Sequence, residues 1–276
     1  MKLHEDNSYS MKLNELKAHC ADCCGLCCTA LYFSKMDGFP QNKPAGKPCM
    51  HLEKDFKCKI HPDLDKRKMK GCIGYDCFGA GQYVTQCLFH GEDWKSAPGR
   101  ANELFETFIK VFQLFQIRYY LLEAMTITCA KSLWKDIDTR LNENDKLCSL
   151  TPEEICRLDV DSYREQANIL LKEVCACVEN QFPKRDQRLP LELFGKSFKN
   201  KRMDGQNLSM KLLIACDFSG CRLDGTNFLG ADTRDANFSN ADLRECVFLT
   251  QVQVNSARGN HKTLLPGHLD YPVTWR

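Results

Sequence analysis

A chain of 276 residues with 43% apolar content has room for one large folded domain or two to three small ones. Its 38 Lys and Arg against 36 Asp and Glu leave a formal net charge of +2, which excludes a bulk field that would draw nucleic acid or membrane. The polar segment from Met1 to Lys17 and the lack of any run near the roughly 20 apolar residues that span a bilayer predict a cytoplasmic protein without a membrane partner, in which 18 cysteines would serve metals or redox chemistry more than disulfides.

Residues 1–95 carry many Cys, Gly, Pro and Lys without sustained apolar periodicity, the pattern of a loop-rich module held by inorganic cross-links. Ten cysteines lie between Cys20 and Cys87, and the other eight are scattered. Residues 96–188 are predicted helical. Leu104, Phe108, Phe112, Phe115, Tyr119 and Leu122 recur at three to four residues and mark one face of a helix from Arg100 to about Thr126. A second helix is expected over Ala130 to Leu141. Thr151-Pro152-Glu153-Glu154 is a capped helix start. Another helix runs from Asp161 to Val178, with Tyr163, Ile169, Leu170, Val174 and Val178 inward, and the charged stretch after Pro183, to Arg188, reads as a hinge.

Over 189–258 the period becomes five. Phe218, Leu223, Phe228, Phe238, Leu243 and Phe248 stand at five-residue steps, with Thr233 in the gap, and two positions before each come Cys216, Cys221, Thr226, Ala231, Ala236, Ala241 and Cys246. Neither the 3.6-residue period of a helix nor the two-residue period of a strand gives this spacing, so the chain must turn a corner every five residues and stack as a square coil. Asp224-Gly225 and Ser239-Asn240 would turn corners. Upstream, Phe198, Met203, Leu208 and Leu213 keep the large position, whereas the small position holds Lys196, Lys201, Gln206 and Lys211. Residues 259–276 form a C-terminal extension.

Ala231-Asp232, Ala236-Asn237-Phe238 and Ala241-Asp242-Leu243 resemble the pentapeptide-repeat family, whose units read Ala-(Asp/Asn)-Leu-x-x. That resemblance implies a right-handed quadrilateral β-helix, so the fold class expected for the whole chain is multi-domain α+β: a metal-bound, loop-rich head, a helical middle and this β-helix. Cys20-x-x-Cys23-Cys24-Gly25-x-Cys27-Cys28, then Pro48-Cys49-x-x-Leu52, Cys58-x-Ile60-His61-Pro62 and Cys72-x-x-Tyr75-Asp76-Cys77 resemble the CxxCxxCC family of zinc- or iron-chelating proteins, with Ala21 where the strict pattern has Cys. Together the two parts look like bacterial pentapeptide-repeat proteins with a Cys-rich head, some described as oxetanocin-type antibiotic-nucleoside resistance proteins.

Thiolates are soft ligands for zinc or iron–sulfur clusters, which makes Cys20, Cys23, Cys24, Cys27, Cys28, Cys49, Cys58, Cys72 and Cys77 the candidate metal ligands. His19, His51, His61 and His90 could replace a thiolate. Cys175 and Cys177, two residues apart on a helix, point to different faces and read as packing residues. Gly79-Ala80-Gly81 does not make GxGxxG, and HExxH and GxSxG are absent, so catalytic and nucleotide-binding residues stay unassigned. The leading expectation is a cytosolic interaction or protection factor with a protein partner and a zinc or iron cofactor. The competing readings are an iron–sulfur redox or radical enzyme that docks through its repeats, and metal storage or trafficking. Fewer than three coils of mixed charge are too few to imitate duplex DNA, and no nucleic-acid partner is expected.

Overall fold

The computed structural model describes residues 2–183 and 189–275, which leaves the predicted hinge from Lys184 to Arg188 outside the described residues. The chain divides into two compact units. One comprises Glu15–Leu121 and Asp138–Asn168, and the other Met1–Asn14, Leu122–Ile137 and Ile169–Arg276.

The first unit, which holds the clustered cysteines, is built from short elements, as a segment without long apolar periodicity must be. Helices α2 (Leu26–Ala30), α3 (Lys70–Ile73) and α4 (Ala80–Tyr83) follow α1 (Ser8–Glu15) of the second unit, and α4 runs into a single wide turn over Val84–Leu88. A small apolar cluster of Phe33, Phe39, Ile60 and Met69 sits among them, with Cys49, Cys58 and Cys72 packed against it. Stacking of Phe33 on Phe39 at 4.8 Å anchors that cluster.

The helical middle forms as its periodicity requires. Helix α5 (Ala101–Ala124) buries Leu104, Phe108, Phe115, Tyr119 and Leu122, and also Val111, Leu114 and Ile117, so it is apolar on more than one stripe. A 3₁₀ turn (Thr128–Leu133) leads into α6 (Trp134–Cys148), which extends past the expected end at Leu141. The capping box starts α7 (Pro152–Cys156): Glu154 Oε2 accepts the Thr151 N–H at 2.9 Å. In α8 (Val160–Glu179) the buried residues are Tyr163, Ala167, Leu171, Val174 and Val178. Ile169, expected inward, is 60% exposed, because steps of three and four from Tyr163 reach Ala167 and Leu171 and leave Ile169 on the far face.

In the second unit the five-residue period becomes a stacked coil. Backbone bridges join one residue of each side to the residue 20 positions later, from Ser197 with Asp217 to Asn227 with Val247, so four five-residue sides complete one turn. At each corner the chain enters the left-handed region. Gly195, Asn200, Gly205, Met210, Ala215, Gly220, Gly225, Gly230, Asp235 and Asn240 all have φ between 56° and 67°, at five-residue steps. The expected β-helix needs one correction. Among the described residues no extended strand occurs, and neighbouring coils pair through isolated parallel bridges. A corner every fifth residue leaves too few consecutive extended residues for a ladder to propagate.

Large residues fill the coil. Phe198, Phe218 and Phe238 stack in a column at 5.2 and 5.5 Å, and Leu208, Leu213, Leu223, Phe228 and Leu243 are fully buried beside them. Pairing of the sides at Phe198, Met203 and Leu208 extends the coil upstream across pentads whose small position is not small. After the repeats, α9 (Gln251–Ser256) follows, and Arg258 and Leu264 bridge to Asn237 and Asp242.

Candidate metal centre

Nine thiols were singled out, and the first unit treats them unequally. Cys27 and Cys28 lie in α2 with their sulfurs 3.9 Å apart. That contact holds a proton on Cys27, whose thiol is pushed up first by the bond to Cys28 and then by burial, while the same bond and the charge of Lys43 favour the Cys28 thiolate. Lys43 is almost fully buried, and its ammonium donates to the carbonyls of Thr29, Leu31 and Pro44. A fixed cation thus stands beside the thiols.

Cys49 reaches Cys28 through the backbone, its N–H donating to the Cys28 carbonyl at 2.9 Å, and Cys58 is held by the bridge between Leu52 and Cys58. Cys72, at the third position of α3, is pushed up to about 12 by burial and then by the neighbouring charges of Cys28, Cys49 and Cys58. Cys77 is likewise raised to about 12 by burial, with Asp76 and Cys23 adding to it. Burial also raises Cys20 and Cys23, and the charges of Cys23, Cys28 and Cys58 add to it at Cys20. A Cβ placed on Gly81 would stand 2.8 Å from the Cys23 sulfur, so the missing side chain makes room for that thiol, while the Cys77 sulfur at 3.7 Å would be in ordinary contact. The Tyr75 hydroxyl, close enough to Cys27, Cys77 and Cys23 to feel their charge, is buried with no hydrogen-bond partner among the described residues.

Cys24 is the least exposed of the nine thiols and lies close enough to Cys23 to feel its charge. It is 3% exposed, its N–H donates to Thr85 Oγ1 at 3.3 Å, that hydroxyl lies 3.5 Å from its sulfur, and Trp94 Nε1 donates to its carbonyl at 2.9 Å. His19, His61 and His90 are exposed and His51 is half-buried. Among the described residues, no three His, Cys, Asp or Glu side chains already converge as a metal ion requires. The thiols are gathered, not closed into a cage. Sequence reasoning missed Gly81, Lys43 and Thr85: Gly79-Ala80-Gly81 was legible only as a failed nucleotide motif, and nothing in the chain marks Lys43 as buried.

The coil and its repeats define the class of protein: the family pattern described as pentapeptide repeats matches residues 213–248 in eight copies. Over nearly its whole length the chain is similar to the Uncharacterized protein YybG of Bacillus subtilis (strain 168), 38% identical over 279 residues that cover 99% of this chain and 98% of that one, and it belongs to the family of that protein. Shorter stretches resemble UPF0153 proteins. UPF0153 protein YeiW of Escherichia coli (strain K12) is 45% identical over 42 residues, 15% of this chain and 50% of that one. UPF0153 protein PA1578.1 of Pseudomonas aeruginosa is 31% identical over 77 residues, 28% of this chain and 92% of that one. No solved structure matches the chain. No helix among the described residues is long and apolar enough to cross a membrane.

Proposed function

We propose that this pentapeptide-repeat protein is a cytosolic interaction or protection factor whose head, residues 1–95, is organised by bound zinc or iron. The helical middle and the coil with its C-terminal extension would present the binding surface to a protein partner. The observation that carries the reading is the gathering of Cys20, Cys23, Cys27, Cys28, Cys49, Cys58, Cys72 and Cys77 within reach of one another's charge, on loops that share a small apolar cluster of Phe33, Phe39, Ile60 and Met69.

The residues present fit a soft cation. Thiols raised by burial and mutual repulsion are destabilised as free thiolates, and a bound cation would relieve that repulsion. Cys49, Cys58 and Cys72 share one apolar cluster, which gives three donors a common support. Gly81 leaves space for the Cys23 sulfur, and the Tyr75 hydroxyl, without a hydrogen-bond partner among the described residues, supplies a polar group near Cys23 and Cys77. Zinc would cross-link the loops, whereas an iron–sulfur cluster would add one-electron chemistry. A protective role, including resistance to an antibiotic nucleoside, rests on resemblance in the sequence.

Metal analysis of protein purified without oxygen tests this reading. At least one tightly held zinc or iron per chain is expected, and Cys27→Ser with Cys28→Ser should remove it. Metal-free protein, or full metal content in the double variant, would overturn the assignment.

A further inference from the structure

The small position of each pentad aims at the coil that precedes it. The thiols of Cys216 and Cys221 and the hydroxyl of Thr226 donate to the carbonyls of Leu193, Phe198 and Met203, each at 2.8 Å. In the first coil the same position belongs to Leu191, Lys196, Lys201 and Gln206, and the bridges begin there, so among the described residues no earlier coil pairs with this end. Leu191 is 95% exposed, and Lys196, Lys201 and Lys211 are exposed as well. Lys201 Nζ stands 6.0 Å from the ring centre of Phe198, the ring that ends the aromatic column. Phe194, Met210 and Leu212 lie exposed in the same turn or at its junction with the next.

A polar terminal repeat keeps a stack soluble, and lysine on an open edge discourages further pairing. That accounts for the lysines. It does not account for four exposed apolar side chains among them. Charge is also divided along the coil: residues 191–213 hold five cations against two carboxylates, and residues 214–248 hold six carboxylates against three cations.

We propose that the open end of the coil docks on an anionic phospholipid surface, with Lys196, Lys201 and Lys211 at the headgroups and Leu191 and Phe194 inserted between them. This goes beyond the metal-organised role and does not depend on it. Three features select a lipid surface over other anionic partners. Protein interfaces are depleted in Lys and enriched in Arg, while this end carries four lysines and a single arginine, Arg202, which is paired with Asp204 at 2.9 Å. Most nucleic-acid contacts go to phosphate and sugar oxygens, which are met by cations and hydrogen-bond donors and offer nothing to exposed Leu and Met side chains. Flexible point charges with apolar neighbours are what a diffuse anionic interface rewards.

Co-sedimentation of the full-length protein with vesicles tests the proposal. Binding is expected to vesicles of phosphatidylcholine mixed with phosphatidylglycerol, to weaken as salt is added, and to be absent with phosphatidylcholine alone. Replacing Lys196, Lys201 and Lys211 together by Gln should weaken binding on the order of a hundredfold. Leu191→Ser with Phe194→Ser should weaken it further. Thermal unfolding confirms that these surface variants stay folded, and Phe194→Trp supplies an independent reading, with tryptophan emission moving to the blue on anionic vesicles only. Failure to bind anionic vesicles, equal binding to both vesicle types, or unshifted Trp emission on bound vesicles would overturn the proposal. So would binding to duplex DNA or polyglutamate as tight as to the anionic vesicles and unaffected by the Leu191 and Phe194 changes.

Discussion

Glu123 shows how far one side chain can shape the behaviour of the second unit. It is 1% exposed near the C-terminal end of α5; Oε1 accepts the Phe248 N–H at 2.6 Å, and Oε2 has no partner among the described residues. Burial raises its carboxyl to about 8, while Cys246 and Cys175 are close enough to feel its charge. A raised folded value makes the sign definite. Below the ordinary value of 4.5 both states are protonated. Between there and about 8 the unfolded chain ionises first and the second unit loses stability, on the order of 1.4 kcal/mol for each pH unit. Denaturant titrations from about pH 5 to about pH 8 should show that decline, and Glu123→Gln should flatten it. A slope that survives the substitution would point to another group. At Gly81, Ala should displace the sulfur of Cys23 and lower metal content, whereas Gly99→Ala, with nothing within 4 Å of its added Cβ, should leave metal content unchanged. Neither glycine's role was legible in sequence, because what separates them is which atoms approach from elsewhere in the fold.

Among elements, the repeat was the most legible, since its period excludes both helix and strand and its corners need residues that accept positive φ. Asp224-Gly225 and Ser239-Asn240 were readable as corners, and Gly225 and Asn240 have φ of 64° and 59°. Less legible was the first coil, where Lys replaces the small residue: the five-residue period persists in Phe198, Met203 and Leu208, but composition cannot reveal that no coil lies beneath. The inward face of α8 was misjudged at Ile169 because an apolar residue was counted without its angle from Tyr163. At the coil, Ala236 is fully buried and Asn240 is an exposed corner, so Ala236→Leu should overpack by about 1–3 kcal/mol and Asn240→Ser should cost much less. Equal shifts in melting temperature would contradict the inward register.

For the whole molecule, the two units draw on different sources of stability. The second has a continuous column of Phe and Leu, while around its cysteines the first has a four-residue apolar cluster beside its helices. Chelation should therefore make the cysteine segment of the first unit protease-sensitive while the coil persists, seen as early cleavage before about Gly91 and a stable C-terminal fragment. Simultaneous loss of both would contradict separate stabilisation. The thiol cluster was legible as a set because its spacing survives as a pattern; the deep burial of Cys24 was not, since it depends on Thr85 and Trp94, 61 and 70 residues away.

The twenty-residue turn also sets which changes of length the coil can absorb. Loss of five residues would leave every side chain facing inward or outward as before, but would move each later side a quarter turn around the square, so that Phe238 no longer lies over Phe218. Loss of twenty removes one storey and restores the column. Insertions and deletions in this stretch should thus be tolerated in whole turns, and related chains should differ in height by steps, with their aromatic columns kept in line.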